Sequence, residues 1–140
     1  MMDVKDVLII ENLENNAKIP LKKMGFLLGI SEPAVRKRIK KLEKEKIILG
    51  YKTIINYKKM GYSNKIIMGV DTVPEKYLKV INSLKKIDNI KNIQTCSGDH
   101  MIMFEVWIKN ILELNIISEK INSIEGVTKS CPSIIHENVD

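Results

Sequence analysis

Between residues 20 and 45 the apolar positions repeat with the spacing of α-helices. Val35, Ile39 and Leu42 recur at i, i+4 and i+7, which places them on one face of a helix. A shorter apolar stretch begins at Pro20 and ends at Gly29, a residue that tolerates a left-handed backbone. The apolar positions of this stretch are Leu21, Met24, Leu27 and Leu28. The pattern predicts two helices joined by a turn of roughly three to four residues.

The second of these helices has a clear start signal. The hydroxyl of Ser31 can accept a hydrogen bond from a backbone N–H of the first turn, as an N-cap does. Glu32 and Pro33 follow, where an acid suits the helix dipole and the missing N–H of proline costs nothing. A helix, a glycine-bearing turn and a second helix together form a helix-turn-helix.

The second helix is also strongly basic. Residues 36–46 read RKRIKKLEKEK, with seven Lys and Arg side chains. Alone, such a run is typical of a solvated helix face. Residues 1–60, however, hold 14 Lys and Arg against 7 Asp and Glu, net +7, whereas residues 61–140 hold 9 against 10, net −1. This imbalance favours a polyanion partner, and because no helix pairs a basic face with Trp or Phe as membrane-surface helices do, we expect double-stranded DNA.

Position along the helix predicts a role for each basic residue. We expect Arg36 and Lys37 to reach base edges, and Lys40 and Lys41 to hold phosphates. A guanidinium can bridge guanine O6 and N7, whereas an ammonium is a point charge. Arg38 lies beside the apolar face and is expected to form a structural ion pair with a helix acid.

The start of the same helix is the part that normally meets the floor of the groove. Ser31, Glu32 and Ala34 therefore complete the predicted DNA-binding set. Glu32 has two interpretations that the sequence leaves open. Its carboxylate accepts from a cytosine amine, or it only stabilises the helix dipole.

Beyond residue 60, four stretches have the character of β-strands. They are predicted over residues 64–73, 90–97, 101–108 and 127–136. The turn SGDH joins the second and third strands into a hairpin. Pro132 cannot donate to a sheet ladder, so we expect the last strand at a sheet edge or in a bulge.

Two helices alternate with these strands. The first begins at Pro74, and its predicted inward residues are Leu78, Ile81 and Leu84. The second begins at Asn110, which with Glu113 resembles a capping box, and ends at Gly126. Its predicted inward residues are Ile111, Leu114, Ile117, Ile121 and Ile124. The order βαββαβ predicts an α+β chain, in which a helix-turn-helix domain precedes a ferredoxin-like sandwich.

Composition narrows the classes of function. A chain of 140 residues with 44% hydrophobic and 29% charged residues has ordinary globular composition. No apolar run reaches the roughly 18 residues of a membrane span, and the start MMDVKD lacks a signal peptide's basic end, so we expect a cytoplasmic protein. Cys96 and Cys131 have no CxxC or Cys/His spacing and fall on opposite sheet edges of this fold, so we expect free thiols and neither metal nor other cofactor.

Several motifs together resemble the Lrp/AsnC, or feast/famine, family of prokaryotic transcriptional regulators. The family's opening LDxxDxxIL is matched by MDVKDVLII, and its NARI(P/S)L segment by NAKIPL. The helix-turn-helix reads GISEPAVRKRIKKLEKEKIILGY, INYKKMGY is similar to the family linker, and SGDH and EGV fall where the family has TG(D/E)Y and PGV. The resemblance covers about the full length. It implies a helix-turn-helix domain over 1–50, a β-strand linker over 51–62 and a regulatory and oligomerisation domain over 63–140.

The resemblance also implies an assembly and a ligand. Family members pair through their regulatory sheets into dimers, often associate into tetramers or octamers, and bind effectors, amino acids among them, where dimers meet. The residues that would line an effector pocket are Ser97, Gly98, Asp99 and His100. The alternative for these residues is an ordinary hairpin turn. The chain departs from the family at Lys46, where glycine is usual, and at His100 and Met101, which replace an aromatic residue and an acid.

Two other functions fit this architecture. An architectural protein would coat DNA with little sequence choice. A related branch acts as siroheme decarboxylases and keeps an HxYNxW pattern in the hairpin, whereas GDHMIMFEVW lacks that pattern. Because the basic helix is intact, we predict a sequence-specific DNA-binding transcriptional regulator that is not an enzyme.

Overall fold

The computed structural model describes residues 1–139, which form two compact units, one spanning Met1–Ile54 and the other starting at Ile55. The helices are α1 (Val4–Asn15), α2 (Leu21–Leu28), α3 (Glu32–Lys44), α4 (Tyr77–Lys85) and α5 (Ile111–Asn122). The strands are β1 (Asn64–Thr72), β2 (Ile90–Thr95), β3 (Ile102–Ile108) and β4 (Val127–Ile135). Short 3-10 helices span Tyr57–Met60 and Pro74–Lys76. Among the described residues, no helix is both long enough and apolar enough to cross a bilayer.

The first unit is a three-helix domain with the predicted helix-turn-helix in α2 and α3. α2 follows Pro20 and ends at Gly29, whose φ of 67° is the left-handed conformation expected of a C-terminal glycine. α3 is capped by Ser31, whose Oγ accepts from the backbone N–H of Ala34 at 3.3 Å. The buried residues of the unit's core are Ile9, Met24, Val35, Ile39 and Leu42.

One prediction for α2 is wrong. Leu27 is 55% exposed, although its spacing placed it on the inward face. Gly25 is buried instead, and a Cβ at this position would lie 2.6 Å from the carbonyl oxygen of Ile30. The turn into α3 therefore packs directly on the backbone of α2 at Gly25, and Leu27 is left on the far side.

The second unit confirms the βαββαβ order. Its four-stranded antiparallel sheet has the strand order β2-β3-β1-β4, which puts β4 and Pro132 at an edge as predicted. The inward row of β3, centred on Phe104, packs with Met68 of β1 and with Leu84 of α4 and Ile117 of α5 in one core. Both helices thus cover the same face of the sheet.

Helix faces and ends in this unit differ from the predictions at three positions. Leu78 is 72% exposed and Ile111 is 57% exposed, so neither faces inward. Val80 lies in the core instead of Leu78, because Val80 is four residues before Leu84, whereas Leu78 is six residues before it and lies about 120° away around an α-helix. Gly126 does not end α5, which stops at Asn122; it takes a φ of 100° in the turn that leads into β4.

The predicted linker strand over residues 51–62 is absent from the described chain. Residues 51–56 have no regular structure, and Tyr57–Met60 form a 3-10 helix. A strand is stable only when its backbone groups pair with a neighbour. Among residues 1–139 this segment pairs with no strand, so its apolar, β-branched sequence does not produce a strand here.

Candidate functional site

The outward face of α3 is a row of cations. Arg36, Lys37, Lys40 and Lys41 are all exposed. The opposite face of the same helix is buried in the core of the first unit. The side chains predicted to contact DNA therefore share one solvent-facing surface. Ser31 and Glu32 at its start are exposed too, and Ala34 is half-buried.

The sequence analysis missed one member of this surface. Lys44 is exposed in the last turn of α3. It lies seven residues after Lys37 and three after Lys41, a spacing that puts the three ammonium groups on one stripe. That spacing is visible in the sequence and could have identified Lys44.

Two of the predicted base contacts are paired with each other. Arg36 Nη2 lies 3.1 Å from Glu32 Oε1, one helical turn away, and both side chains are about half exposed. An exposed pair at this spacing contributes only ~0.3–0.5 kcal/mol. A bidentate arginine–guanine contact supplies ~1–3 kcal/mol of discrimination, so DNA can release Arg36 from Glu32.

Arg38 forms the structural ion pair predicted for it. Its Nη1 lies 2.7 Å from Asp3 Oδ2 and 2.8 Å from Asp6 Oδ1 at the start of α1. Arg38 lowers the pKa of the Asp3 carboxyl, and the pKa of the Asp6 carboxyl is lowered first by the backbone N–H of Asp3 and then by Arg38. Arg38 thus links α3 to the start of α1 and has a structural role.

The hairpin between β2 and β3 carries the predicted effector residues. Ser97, Gly98 and Asp99 are exposed in the turn, whereas His100 is half-buried. His100 Nδ1 lies 3.0 Å from Asp71 Oδ2, and the second oxygen of Asp71 accepts from the backbone N–H of Met101 at 3.0 Å. The turn is therefore attached to β1 through one carboxylate.

Asp71 keeps its charge in this half-buried position. Burial alone would raise the pKa of its carboxyl, but the hydrogen bonds from His100 and from the N–H of Met101, with the nearby charge of Lys129, lower the pKa below its ordinary value. Sequence reasoning missed Asp71, although a lone acid inside the apolar stretch IIMGVDTV was a usable signal.

A separate groove of about 780 Å³ lies in the first unit, between the end of α1 and residues 47–54. Ile10, Leu13 and Leu49 line it, together with Tyr51, whose Oη donates to Glu43 Oε1 of α3 at 2.9 Å.

Among the described residues, no cluster of three or more His, Cys, Asp or Glu side chains could hold a metal ion. The two cysteines are free thiols, as predicted.

Two protein-family models match this chain, one in each of its two compact units. Residues 2–43 match the AsnC-type helix-turn-helix domain, and residues 65–140 match the Lrp/AsnC ligand binding domain. The chain is 48% identical over 140 residues to the HTH-type transcriptional regulator LrpA of Pyrococcus abyssi, a match that covers 99% of each chain.

Solved structures share the fold at lower identity. AsnC of E. coli is 22% identical with a TM-score of 0.85, and covers 99% of this chain and 94% of its own. A Neisseria meningitidis transcriptional regulator in complex with L-Met is 14% identical with a TM-score of 0.90, and covers 100% of this chain and 93% of its own. With its two matched domains and its close archaeal relative, this chain belongs to the Lrp/AsnC family of transcriptional regulators.

Proposed function

We propose that the chain regulates transcription in the cytoplasm by binding specific duplex DNA sites through the outward face of α3. The supporting observation is the exposed stripe of Lys37, Lys40, Lys41 and Lys44, which α3 presents because its other face is fixed in the core. Ammonium groups on a helix that fits the major groove hold phosphates, and Arg36 and Lys37 read base edges.

We propose that the protein acts as a homodimer, and that dimers associate further into tetramers or octamers. The sheet face opposite the helices carries half-buried Ile67, Met103 and Trp107, and Tyr57 stacks on Trp107 at 4.7 Å between ring centroids. Lys65 and Glu105 on the same face form an ion pair at 3.4 Å, so their charges are compensated. A sheet face with large apolar side chains around a paired charge is a suitable surface for pairing with a second copy. Two copies of α3 would then bind two half-sites separated by about one helical turn of DNA or a multiple.

We further propose that a small-molecule effector, an amino acid, binds at the hairpin turn of Ser97, Gly98, Asp99 and His100. Ser97 and Asp99 are exposed and polar, and His100 is half-buried. The matched ligand binding domain supports this assignment, and so does the L-Met held by the structurally similar Neisseria regulator.

The DNA assignment is tested by fluorescence anisotropy at fixed salt, with the gene's own promoter and a shuffled duplex as probes. We expect Lys40→Glu to weaken promoter binding at least tenfold. The matched control Lys86→Glu, the same charge change at an exposed residue beyond α4, should leave binding unchanged. Light scattering should give the same oligomer for both variants.

Two results would overturn the proposal. Equal affinity of the wild type for promoter and shuffled DNA would identify an architectural DNA-coating protein instead of a regulator. Dissociation of the oligomer by Lys40→Glu would show that α3 serves assembly.

We propose no catalytic step. An absorbance titration with a tetrapyrrole should therefore show no spectral shift, and a shift would favour the siroheme-decarboxylase alternative.

A further inference from the structure

The ion pair at the start of α3 holds a hydrogen-bond donor and an acceptor side by side on the exposed face of the helix. Arg36 Nη2 donates to Glu32 Oε1 at 3.1 Å, and the two side chains are 55% and 44% exposed. Within residues 1–139, the other guanidinium nitrogens of Arg36 and the second carboxylate oxygen of Glu32 have no hydrogen-bond partner. Both side chains therefore have polar atoms to offer to a base.

A guanidinium can hold a carboxylate and a base at the same time. Its five N–H donors lie in one plane, and the two hydrogens of Nη2 point to different edges of that plane. One of them donates to Glu32. The other, together with a hydrogen of a neighbouring nitrogen, forms a two-pronged edge that fits guanine O6 and N7. The pair with Glu32 therefore need not break when Arg36 meets guanine.

The pair matches the pattern that a G·C base pair presents in the major groove. Guanine O6 is an acceptor, and it lies next to the N4 amine of cytosine, a donor. These two atoms are hydrogen-bonded to each other within the base pair, at the ordinary N–H···O distance of about 2.9 Å. The donor of Arg36 and the acceptor of Glu32 are 3.1 Å apart. The order is complementary and the spacing is nearly the same, so the two side chains fit this base pair as a unit.

Other base pairs fit this unit less well. An A·T pair places the adenine amine against the guanidinium and thymine O4 against the carboxylate, so a donor meets a donor and an acceptor meets an acceptor. A C·G pair in the reverse direction has the same fault. A T·A pair keeps the order but has the thymine methyl group where guanine has N7, so Arg36 loses its second contact. Repulsion by the carboxylate thus adds to the selectivity that Arg36 has alone.

We propose that Arg36 and Glu32 read one G·C base pair together in each half-site, Arg36 at guanine O6 and N7 and Glu32 at the cytosine amine. Glu32 is then a specificity-determining residue, and its contact with cytosine is chosen over a role in the helix dipole alone. This inference rests on the DNA-binding function proposed above, and it names the base pair that α3 selects.

The test begins with selection of binding sites from a randomised duplex library by the full-length chain. We expect each enriched half-site to contain a G·C pair at a fixed position. Fluorescence anisotropy at fixed salt then compares the selected duplex with two modified forms. In the first, 7-deazaguanine at that position removes N7. In the second, N4-methylcytosine keeps the base pairing but replaces the free N–H of the amine by a methyl group.

Each modification should affect the chain only while its reader is present. We expect 7-deazaguanine to weaken binding of the wild type about tenfold and to leave binding of Arg36→Ala nearly unchanged. We expect N4-methylcytosine to weaken the wild type about fivefold and to leave Glu32→Ala nearly unchanged. A loss on N4-methylcytosine that is equal in the wild type and in Glu32→Ala would overturn the role of Glu32.

Glu45→Ala is the matched control for charge. Glu45 lies 4.0 Å from Lys41 on the same helix, with the same four-residue spacing, and both side chains are exposed. Removing either carboxylate should tighten binding to all duplexes through general electrostatics. Only Glu32→Ala should also accept an A·T pair at the selected position with little loss. If Glu45→Ala relaxes the base preference as much as Glu32→Ala does, Glu32 acts only through its charge and the inference is wrong.

The selection step separates this inference from the function on which it rests. A wild-type chain that enriches no sequence over the starting library would overturn both. Enriched half-sites that lack a fixed G·C pair would overturn the joint reading by Arg36 and Glu32 and would leave sequence-specific DNA binding in place.

Discussion

At the scale of single residues, position on the helix gives identical side chains different roles. Arg36 and Arg38 lie two positions apart on α3. The side chain of Arg36 is 55% exposed and meets one carboxylate on its own helix, whereas that of Arg38 is 30% exposed and meets two carboxylates of α1. The first arginine is available to a partner, and the second belongs to the fold.

The acid pair around Arg38 makes the stability of the first unit depend on pH. The pKa values of Asp3 and Asp6 lie below their ordinary value of 3.8 in the folded chain. Their stabilisation is therefore complete above about pH 4 and is lost as the pH falls through the lowered folded values. In Arg38→Gln we expect a melting temperature a few degrees lower at pH 7 and a shallower decline below pH 4.

Melting curves followed by circular dichroism between pH 2 and pH 7 check this prediction. Lys37→Gln removes one positive charge from the neighbouring exposed position and serves as the control. If Lys37→Gln and Arg38→Gln have the same pH profile, general charge accounts for the effect and the pair with Asp3 and Asp6 does not.

Lys46 lies in the left-handed region, with a φ of 59°, directly after the end of α3. A side chain with a Cβ costs ~1–2 kcal/mol in this conformation, and glycine returns part of the gain through its larger unfolded-state entropy. We expect Lys46→Gly to raise the free energy of unfolding by about 0.5–1 kcal/mol and Lys46→Ala to leave it nearly unchanged. Urea unfolding compares the two variants, and a glycine variant less stable than the alanine variant would be inconsistent with the strain.

At the scale of elements, the sequence located helices better than it located their buried faces. Local signals such as the Ser31 cap and Gly29 gave the ends of α2 and α3 within a residue or two. Leu78 and Leu84 share a predicted face on α4, yet Leu84 is fully buried and Leu78 is 72% exposed. Six residues separate Leu78 from Leu84, which places them about 120° apart on an α-helix, so only the part of this apolar set in phase with Leu84 is covered by the sheet.

This difference has a measurable consequence. Leu84→Ala leaves a cavity in the core, so we expect it to lower the free energy of unfolding by ~2–5 kcal/mol. Leu78→Ala removes the same atoms from an exposed position and should change it by less than ~0.5 kcal/mol. Urea unfolding monitored at Trp107, which lies in the same unit, tests both. Equal losses would mean that Leu78 is buried in solution.

At the scale of the whole molecule, the positive charge is concentrated in residues 1–60, which carry a net +7 against −1 in residues 61–140. If these cations bind DNA phosphates, the affinity must fall as the salt concentration rises. With about three phosphates neutralised per protomer, a dimer releases counterions from about six, and the log–log slope of affinity against salt is about −5. Lys40→Gln removes one contact per protomer, two per dimer, and should make the slope less negative by about 1.8. Anisotropy titrations over a range of salt concentrations measure both slopes. A wild-type slope near zero would be incompatible with phosphate binding by α3.

Features that depend on neighbours along the chain could be predicted from the order of amino acids. Turn glycines, helix caps and the alternation along β3 follow from contacts within a few residues, and the family motifs and the basic stretch are visible without a fold. These signals were sufficient for the helix-turn-helix, the βαββαβ order and the exposed cations of α3.

Contacts between distant residues could not be predicted in this way and are visible in the folded chain alone. Arg38 meets Asp3 from 35 positions away, and His100 meets Asp71 from 29 positions away. Strand register and helix orientation set such pairs, and one residue of slip would turn each strand side chain to the other face. For the same reason the close approach of the His100 ring to Gly69 depends on the pairing of β1 with β3.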